Sequence, residues 1–208
     1  MIPTNYIYSA DPGLTIGFHG CSQELRDEII NGKTALRQSN NPWDWLGDGI
    51  YFWQNNYERA FHYANNPPPN LKINDPAVLG AVFSLGNCLD LTDKKYIDLL
   101  QDSFNILNKS ALFEGKQLPE NTNHPEPKSS NDKVLRRLDC AVIKKIHTQA
   151  QMSGQPPFDS VRCVFPEGNE VYKGAGFLDK THIQICIRNP NLIKGYFIPR
   201  KETIWPSI

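Results

Sequence analysis

The chain alternates short apolar runs with turn residues, and that rhythm limits the folds open to it. Leu14 to Phe18, Ile50 to Trp53, Val78 to Leu85, Val161 to Phe165, His182 to Ile187 and Leu192 to Ile198 read as strands. Leu89-Asp90-Leu91 reads as a continuation of the Val78 strand past a turn. Helical spacing is confined to a few stretches. Glu24 to Ile30 sets Leu25, Ile29 and Ile30 on one face behind Ser22, an N-cap residue type, and stops at Asn31-Gly32. Asn56 to Asn65 reads as a short helix, Lys94 to Leu107 as an amphipathic one. Val134 to Gln149 reads as a strong helix with Leu135, Leu138, Val142 and Ile146 on one face. Leu118 to Lys133, rich in Pro, Asn, Ser and Glu, reads as a surface loop. Many strands with few helices predict an α+β domain on a split or curled sheet. No repeat or clear linker interrupts the 208 residues, so residues 1–208 are expected to form a single domain.

Lys and Arg number 22, Asp and Glu 22, and 39% of residues are hydrophobic. That balance excludes a disordered chain and a cationic coat protein, while a local basic groove stays open. No apolar run approaches the roughly 20 residues that span a bilayer. The stretch from Met1 to Gly13 has neither a basic nor an apolar signal region, so a cytoplasmic protein with no membrane partner is expected. The five cysteines, Cys21, Cys88, Cys140, Cys163 and Cys186, form no CxxC pair. They read as reduced thiols in small buried sites, and neither a disulfide frame nor a metal site is expected. Dinucleotide-binding GxGxxG, P-loop, HExxH and GxSxG patterns are absent.

Three pieces carry the chemistry. Phe18-His19-Gly20-Cys21-Ser22 lies where a strand gives way to a helix. Gly49-Ile50-Tyr51-Phe52 is followed one helix later by Phe61-His62-Tyr63-Ala64. Ile183-Gln184-Ile185-Cys186-Ile187 sets one polar side chain among apolar neighbours. In this order the pieces resemble the ADP-ribosyltransferases of the diphtheria-toxin and poly(ADP-ribose) polymerase type. Those families carry an aromatic-His-Gly-Thr/Ser strand end, a Gly-Phe/Ile-Tyr strand with a second aromatic eleven residues on, and a Glu on a late strand. Trp45 to Phe52, followed by Asn56-Tyr57-Glu58-Arg59-Ala60, looks like the toxin branch. The resemblance touches residues from about 14 to 110 and from 181 to 198.

The resemblance implies a split β-sheet with an NAD cleft. It implies NAD as substrate, without a metal, and release of nicotinamide as ADP-ribose passes to a macromolecular acceptor, protein or nucleic acid. Gly20 would let its backbone approach the nicotinamide carboxamide, with Cys21 beside it. Tyr51 would stack on the ring, and His62 or Tyr63 would close the sandwich. His19 would bond the adenosine ribose. The late-strand Glu is replaced by Gln184, which accepts a hydrogen bond but carries no charge. The triad therefore reads His19, Tyr51, Gln184, which points to transfer of single ADP-ribose units and away from polymer.

Glu167 in Pro166-Glu167-Gly168-Asn169-Glu170 is the carboxylate expected to assist, with Glu170 behind it. Arg162, inside an apolar run, needs a partner, Asp159 or an NAD phosphate. Trp43 and Trp45 are candidates for packing or for lining a donor pocket or acceptor groove. Arg188, Lys194, Arg200 and Lys201 are expected to form a solvated basic face. A small chain of this type resembles bacterial toxins and phage-defence effectors, which implies a neutralising antitoxin or immunity protein. Two other readings stand beside transfer: an NAD glycohydrolase, and a catalytically silent module that binds NAD or ADP-ribose.

Overall fold

Ser22 stops one element and starts the next: its hydroxyl accepts the Leu25 N–H at 3.2 Å and caps the first helix. The computed structural model describes residues 13–68, 71–123 and 133–203. Within them the order is β1 (Thr15–Ser22), α1 (Gln23–Ile30), β2 (Ile50–Gln54), α2 (Tyr57–Asn65), β3 (Pro76–Phe83), β4 (Cys88–Asp90) and α3 (Lys94–Phe113). Then come β5 (Asn121–Thr122), β6 (Leu135–Arg136), α4 (Arg137–Met152), β7 (Ser160–Phe165), β8 (His182–Ile187) and β9 (Ile193–Phe197). Asn56 caps α2, its side chain accepting the Arg59 N–H at 2.9 Å. The class is α+β, as expected.

Seven strands form one mixed sheet in the order β4-β7-β8-β2-β1-β3-β9. Its one parallel pair is β4 with β7. β4 therefore sits at the far edge from β3 and does not continue it, which corrects the expectation for Leu89 to Leu91. β1 pairs with β3 along its whole length, Thr15 opposite Phe83 through Ser22 opposite Pro76. Its junction with β2 is short: Gly17 meets Gln54, Phe18 meets Trp53, and pairing goes no further.

α4 begins at Arg137, later than its apolar spacing suggests. Leu135 and Arg136 pair instead with Thr122 and Asn121. The Asn121 side chain then accepts the N–H groups of Leu138 and Asp139 at 2.9 and 3.2 Å, capping α4 from outside the helix. Leu135 is thus a strand residue, and the buried face of α4 is Cys140, Val142, Ile143 and Ile146. The surface loop expected over Leu118 to Lys133 holds β5, and residues 124–132 of it lie outside the described residues, as does the N-terminal stretch through Pro12.

Both sheet faces are covered. Cys21, Phe52, Leu79, Phe83, Ile185 and Ile187 pack with Ile29 of α1 on one face. Leu89, Val161, Phe165 and Cys186 pack with Ile143 and Ile146 of α4 on the other, while Trp53 and Val78 meet Ala60 of α2. The approach of α2 to β1 demands a glycine. A Cβ on Gly20 would stand 2.2 Å from the Ala60 carbonyl oxygen. Among the described residues, no helix is long and apolar enough to cross a membrane.

Candidate functional site

The three triad positions lie on three adjacent strands, β1, β2 and β8, where the sheet is least continuous. His19 is half-buried, and its Nδ1 lies 2.8 Å from the Tyr51 carbonyl oxygen. A carbonyl only accepts, so Nδ1 carries the proton and Nε2 is the lone-pair nitrogen. Burial holds the imidazole pKa below its usual value, against a smaller opposing effect of that carbonyl. The neutral ring is therefore an acceptor at Nε2.

Backbone direction adds a second feature. The Ile16 carbonyl accepts the Asn55 N–H at 3.0 Å on the β2 side of β1. Peptide groups in an antiparallel strand alternate with a period of two, so those of Gly20 face the same side. There β2 no longer pairs with β1. Gly20 thus presents peptide groups to the gap at the junction while its α-carbon supports α2.

Tyr51 is anchored twice at its hydroxyl. It donates to the Gly47 carbonyl at 2.6 Å and accepts the Leu46 N–H at 2.9 Å. Gly47 adopts φ +76°, the left-handed conformation that glycine tolerates best. Burial raises the phenol pKa far above its usual value, so the hydroxyl stays protonated.

Gln184 lies opposite Trp53 on β2 and Cys163 on β7. Its side chain is 9% exposed. Its Oε1 is buried with no hydrogen-bond partner among the described residues. It does not stand alone. Trp53 Nε1, His182 Nε2 and Arg59 Nε are also buried and unpartnered. The Trp53 and His182 rings are 6.2 Å apart, and the Arg59 guanidinium lies 5.5 Å from the Trp53 ring centre. Each such group costs on the order of 1–3 kcal/mol when left without a partner.

Glu167 joins this group. It is 9% exposed and therefore not a solvated turn carboxylate. Arg59 Nη2 donates to both of its oxygens, and His182 Nδ1 lies 3.5 Å from one of them. That His182 nitrogen is 2.8 Å from the Lys180 carbonyl, so it carries the proton and leaves Nε2 as an acceptor. Glu170 is engaged separately, accepting the Gly174 N–H at 2.8 Å.

Other expected residues are distributed differently. Tyr63 packs on Trp53 with ring centres 5.1 Å apart, whereas His62 of the same helix is exposed. Cys21 is packed in the core beside α1, and burial raises its thiol to about 11, so it stays protonated at neutral pH. Arg162 does not pair with Asp159. It donates to Asp90 at 2.9 Å and to Gln54 at 2.8 Å, because β4 lies directly beside β7. Asp159 instead accepts the Asn87 N–H and the Asn189 amide. Arg188 leaves the solvated basic face: it is half-buried and donates to the Phe158 carbonyl at 2.8 Å. All five cysteines are unpaired, three of them buried.

Trp53, Arg59 and His182 were not singled out from the sequence. The signal for His182 and Trp53 was strand alternation: His182 is two residues from Gln184, and Trp53 two from Tyr51.

A protein of Methanocaldococcus jannaschii described as uncharacterized protein MJ0359 is 26% identical to this chain over 202 residues, covering 85% of this chain and 83% of its own. No protein-family model matches, and no solved structure matches.

Proposed function

We propose that this chain is a mono-ADP-ribosyltransferase, moving ADP-ribose from NAD to a macromolecular acceptor and releasing nicotinamide. The observation that carries the reading is the junction of β1, β2 and β8. There His19 is tied to the Tyr51 backbone, and Gln184 on the next strand holds a buried, unpartnered amide oxygen. The resemblance supplies the split sheet and the NAD cleft, and the early end of β1–β2 pairing is consistent with both.

The chemistry assigned to each residue follows from its state. The peptide groups of Gly20 would receive the carboxamide of nicotinamide. Tyr51, held by Leu46 and Gly47, would give the ring a fixed face, and Tyr63 on Trp53 is better placed than His62 to close that side. Nε2 of neutral His19 would accept a hydroxyl of the adenosine ribose. Gln184 Oε1 would accept the 2′-hydroxyl of the nicotinamide ribose, gaining the partner it lacks. The bond between ribose C1′ and the nicotinamide nitrogen breaks, and its electron pair leaves with neutral nicotinamide. A lone pair of the acceptor forms the new bond to C1′, and the acceptor's proton passes to solvent or a nearby base. Glu167, charge-balanced by Arg59, would hold α2 in place and would act neither as base nor as counter-charge, which leaves the Gln184 amide dipole as the preorganised group facing the ribosyl cation. Preorganised electrostatics of this kind commonly supply about 3 kcal/mol or more of barrier lowering. Arg162, engaged by Asp90 and Gln54, has no assigned contact with the NAD phosphates.

The missing charge at Gln184 favours a second reading, a silent module that binds NAD without cleaving it. One experiment separates these. NAD labelled in its adenosine half is incubated with the chain alone and with cell protein, RNA or DNA. Nicotinamide release with label on a macromolecule is the expected result. Free ADP-ribose without macromolecular label would make it a glycohydrolase, and NAD binding without nicotinamide release would make it the silent module. No binding and no release in any tube would overturn the NAD reading.

A further inference from the structure

Two arginine–tryptophan pairs stand side by side at the start of α4. The Arg136 guanidinium lies 4.2 Å from the Trp45 ring centre and 4.8 Å from that of Phe165. The Arg137 guanidinium lies 5.7 Å from the Trp43 ring centre. Trp45 is locked in place, its Nε1–H donating to the Val134 carbonyl at 2.8 Å. Trp43 is 40% exposed. Beside this ladder, a cavity of about 530 Å3 opens between α3, α4 and β7, walled by Trp45, Phe165, Cys163, Leu100, Phe104 and Arg136. Its size is in the range of small-molecule sites. Its floor is one strand from Gln184, since Cys163 pairs with Gln184 and Phe165 with His182.

The chemistry of this surface is that of flat rings and negative charge. The walls are aromatic and aliphatic, with the Gln101 carboxamide at the border to hydrogen-bond a ring edge and the carboxylates of Asp98 and Asp139 beside it. The two border carboxylates are already engaged, Asp98 by Lys94 and Asp139 by Asn121 and Arg136. That leaves Arg137, over the Trp43 ring, and Lys133 as basic side chains with no carboxylate partner among the described residues, while Arg136 is shared between the Trp45 ring and Asp139. Arg136 Nε is buried without a partner. Successive aromatic faces interleaved with cations suit stacked bases on a phosphate backbone. A single protein side chain would use one of those faces and none of the basic side chains.

We propose that the acceptor is a single-stranded nucleic acid, with one base in the cavity between α3 and α4, walled by the Arg136-covered Trp45, and a neighbouring base stacked on the exposed Trp43 ring. This rests on the transferase reading for the chemistry that follows, but the binding does not need NAD.

The test therefore omits NAD. Fluorescence anisotropy is followed for the full chain with labelled single strands of RNA and of DNA, about twelve nucleotides long, within the usual site sizes. Saturable binding is expected, weakening between about 50 and about 200 mM salt as counterion release requires. Arg137→Glu should weaken binding roughly tenfold or more and lower the salt slope by about 1. Trp43→Ala, a change at an exposed position, should weaken it similarly. Equal affinity for duplex DNA, or no loss in either variant, would overturn the proposal. So would NAD label that enters protein and no added strand in the transfer assay. Strand binding with no nicotinamide release would leave this inference standing and sink the transferase reading instead.

Discussion

Arg59 Nη2 reaches both carboxylate oxygens of Glu167, at 2.9 and 2.7 Å, and so fastens α2 to the loop behind β7 across 108 residues of sequence. Both side chains are largely shielded from solvent, so removing one strands the other. Glu167→Ala should cost about 3–5 kcal/mol, and the double variant Arg59→Ala/Glu167→Ala less than the two single losses added. Urea denaturation measures it, and strictly additive losses would show that the pair is not coupled.

Tyr51→Phe removes one donor and one acceptor at once. The Gly47 carbonyl and the Leu46 N–H lose their partner, and the turn from Leu46 to Gly49 loosens. A loss of about 1–3 kcal/mol is expected. An unchanged melting temperature would mean that solvent replaces the phenol at both groups.

Gly20→Ala places a methyl 2.2 Å from the Ala60 carbonyl oxygen, a backbone atom that cannot swing aside. α2 must shift off β1. Overpacking of this kind typically costs about 1–3 kcal/mol. Because α2 also carries Tyr63 and Arg59, NAD binding by calorimetry should fall with it. Retained stability and retained binding would show that α2 yields freely.

Gln184 separates charge from hydrogen bonding. Gln184→Ala should lower nicotinamide release at least tenfold, while Gln184→Glu should raise it above wild type, since a carboxylate adds attraction for the ribosyl cation. Equal rates in all three proteins would remove Gln184 from the mechanism.

The histidines set an acid limit. Burial and the neighbouring Arg188 push His147 down to about 4 from the ordinary 6.5, and burial also lowers His19 and His182. Between those values the unfolded chain binds more protons than the folded one. Stability therefore rises with pH through that window and is lost as pH falls from about 6.5 toward 4. His147→Gln should flatten part of this loss. Urea midpoints measured from about pH 7.5 down to about pH 4.5 check it, and a flat profile in the wild-type protein would contradict it.

Local signals in the sequence were reliable where neighbours decide the outcome. Ser22 caps the helix that follows it, α2 starts one residue after its expected beginning at Asn56, and the Ile50 and His182 runs are strands within a residue of their expected limits. β1 was read too short because His19, Gly20 and Cys21 have little strand preference of their own. Pairing with Pro76 to Leu79 of β3 carries them through. Partners distant in sequence were invisible. Nothing near Arg162 marks Asp90, because the parallel contact of β4 with β7 is a property of the whole sheet. The His19–Tyr51–Gln184 set was legible through resemblance, whereas Arg59, Trp53 and His182 join it only through α2 and strand alternation.

The two-pair junction between β1 and β2 has a consequence for cooperativity. Strands bound along their length open together, but a seam this short transmits little of that coupling. Backbone pairing alone would let β1, β3 and β9 with α1 and α2 exchange as one unit and β2, β8, β7 and β4 with α3 and α4 as another, while the shared core of Phe52, Leu79, Phe83 and Ile185 ties the two together. The Arg59–Glu167 contact and any ligand lying across the seam act as cross-ties between them. Amide-exchange protection on either side should rise in concert when the seam is bridged and decay separately when it is not.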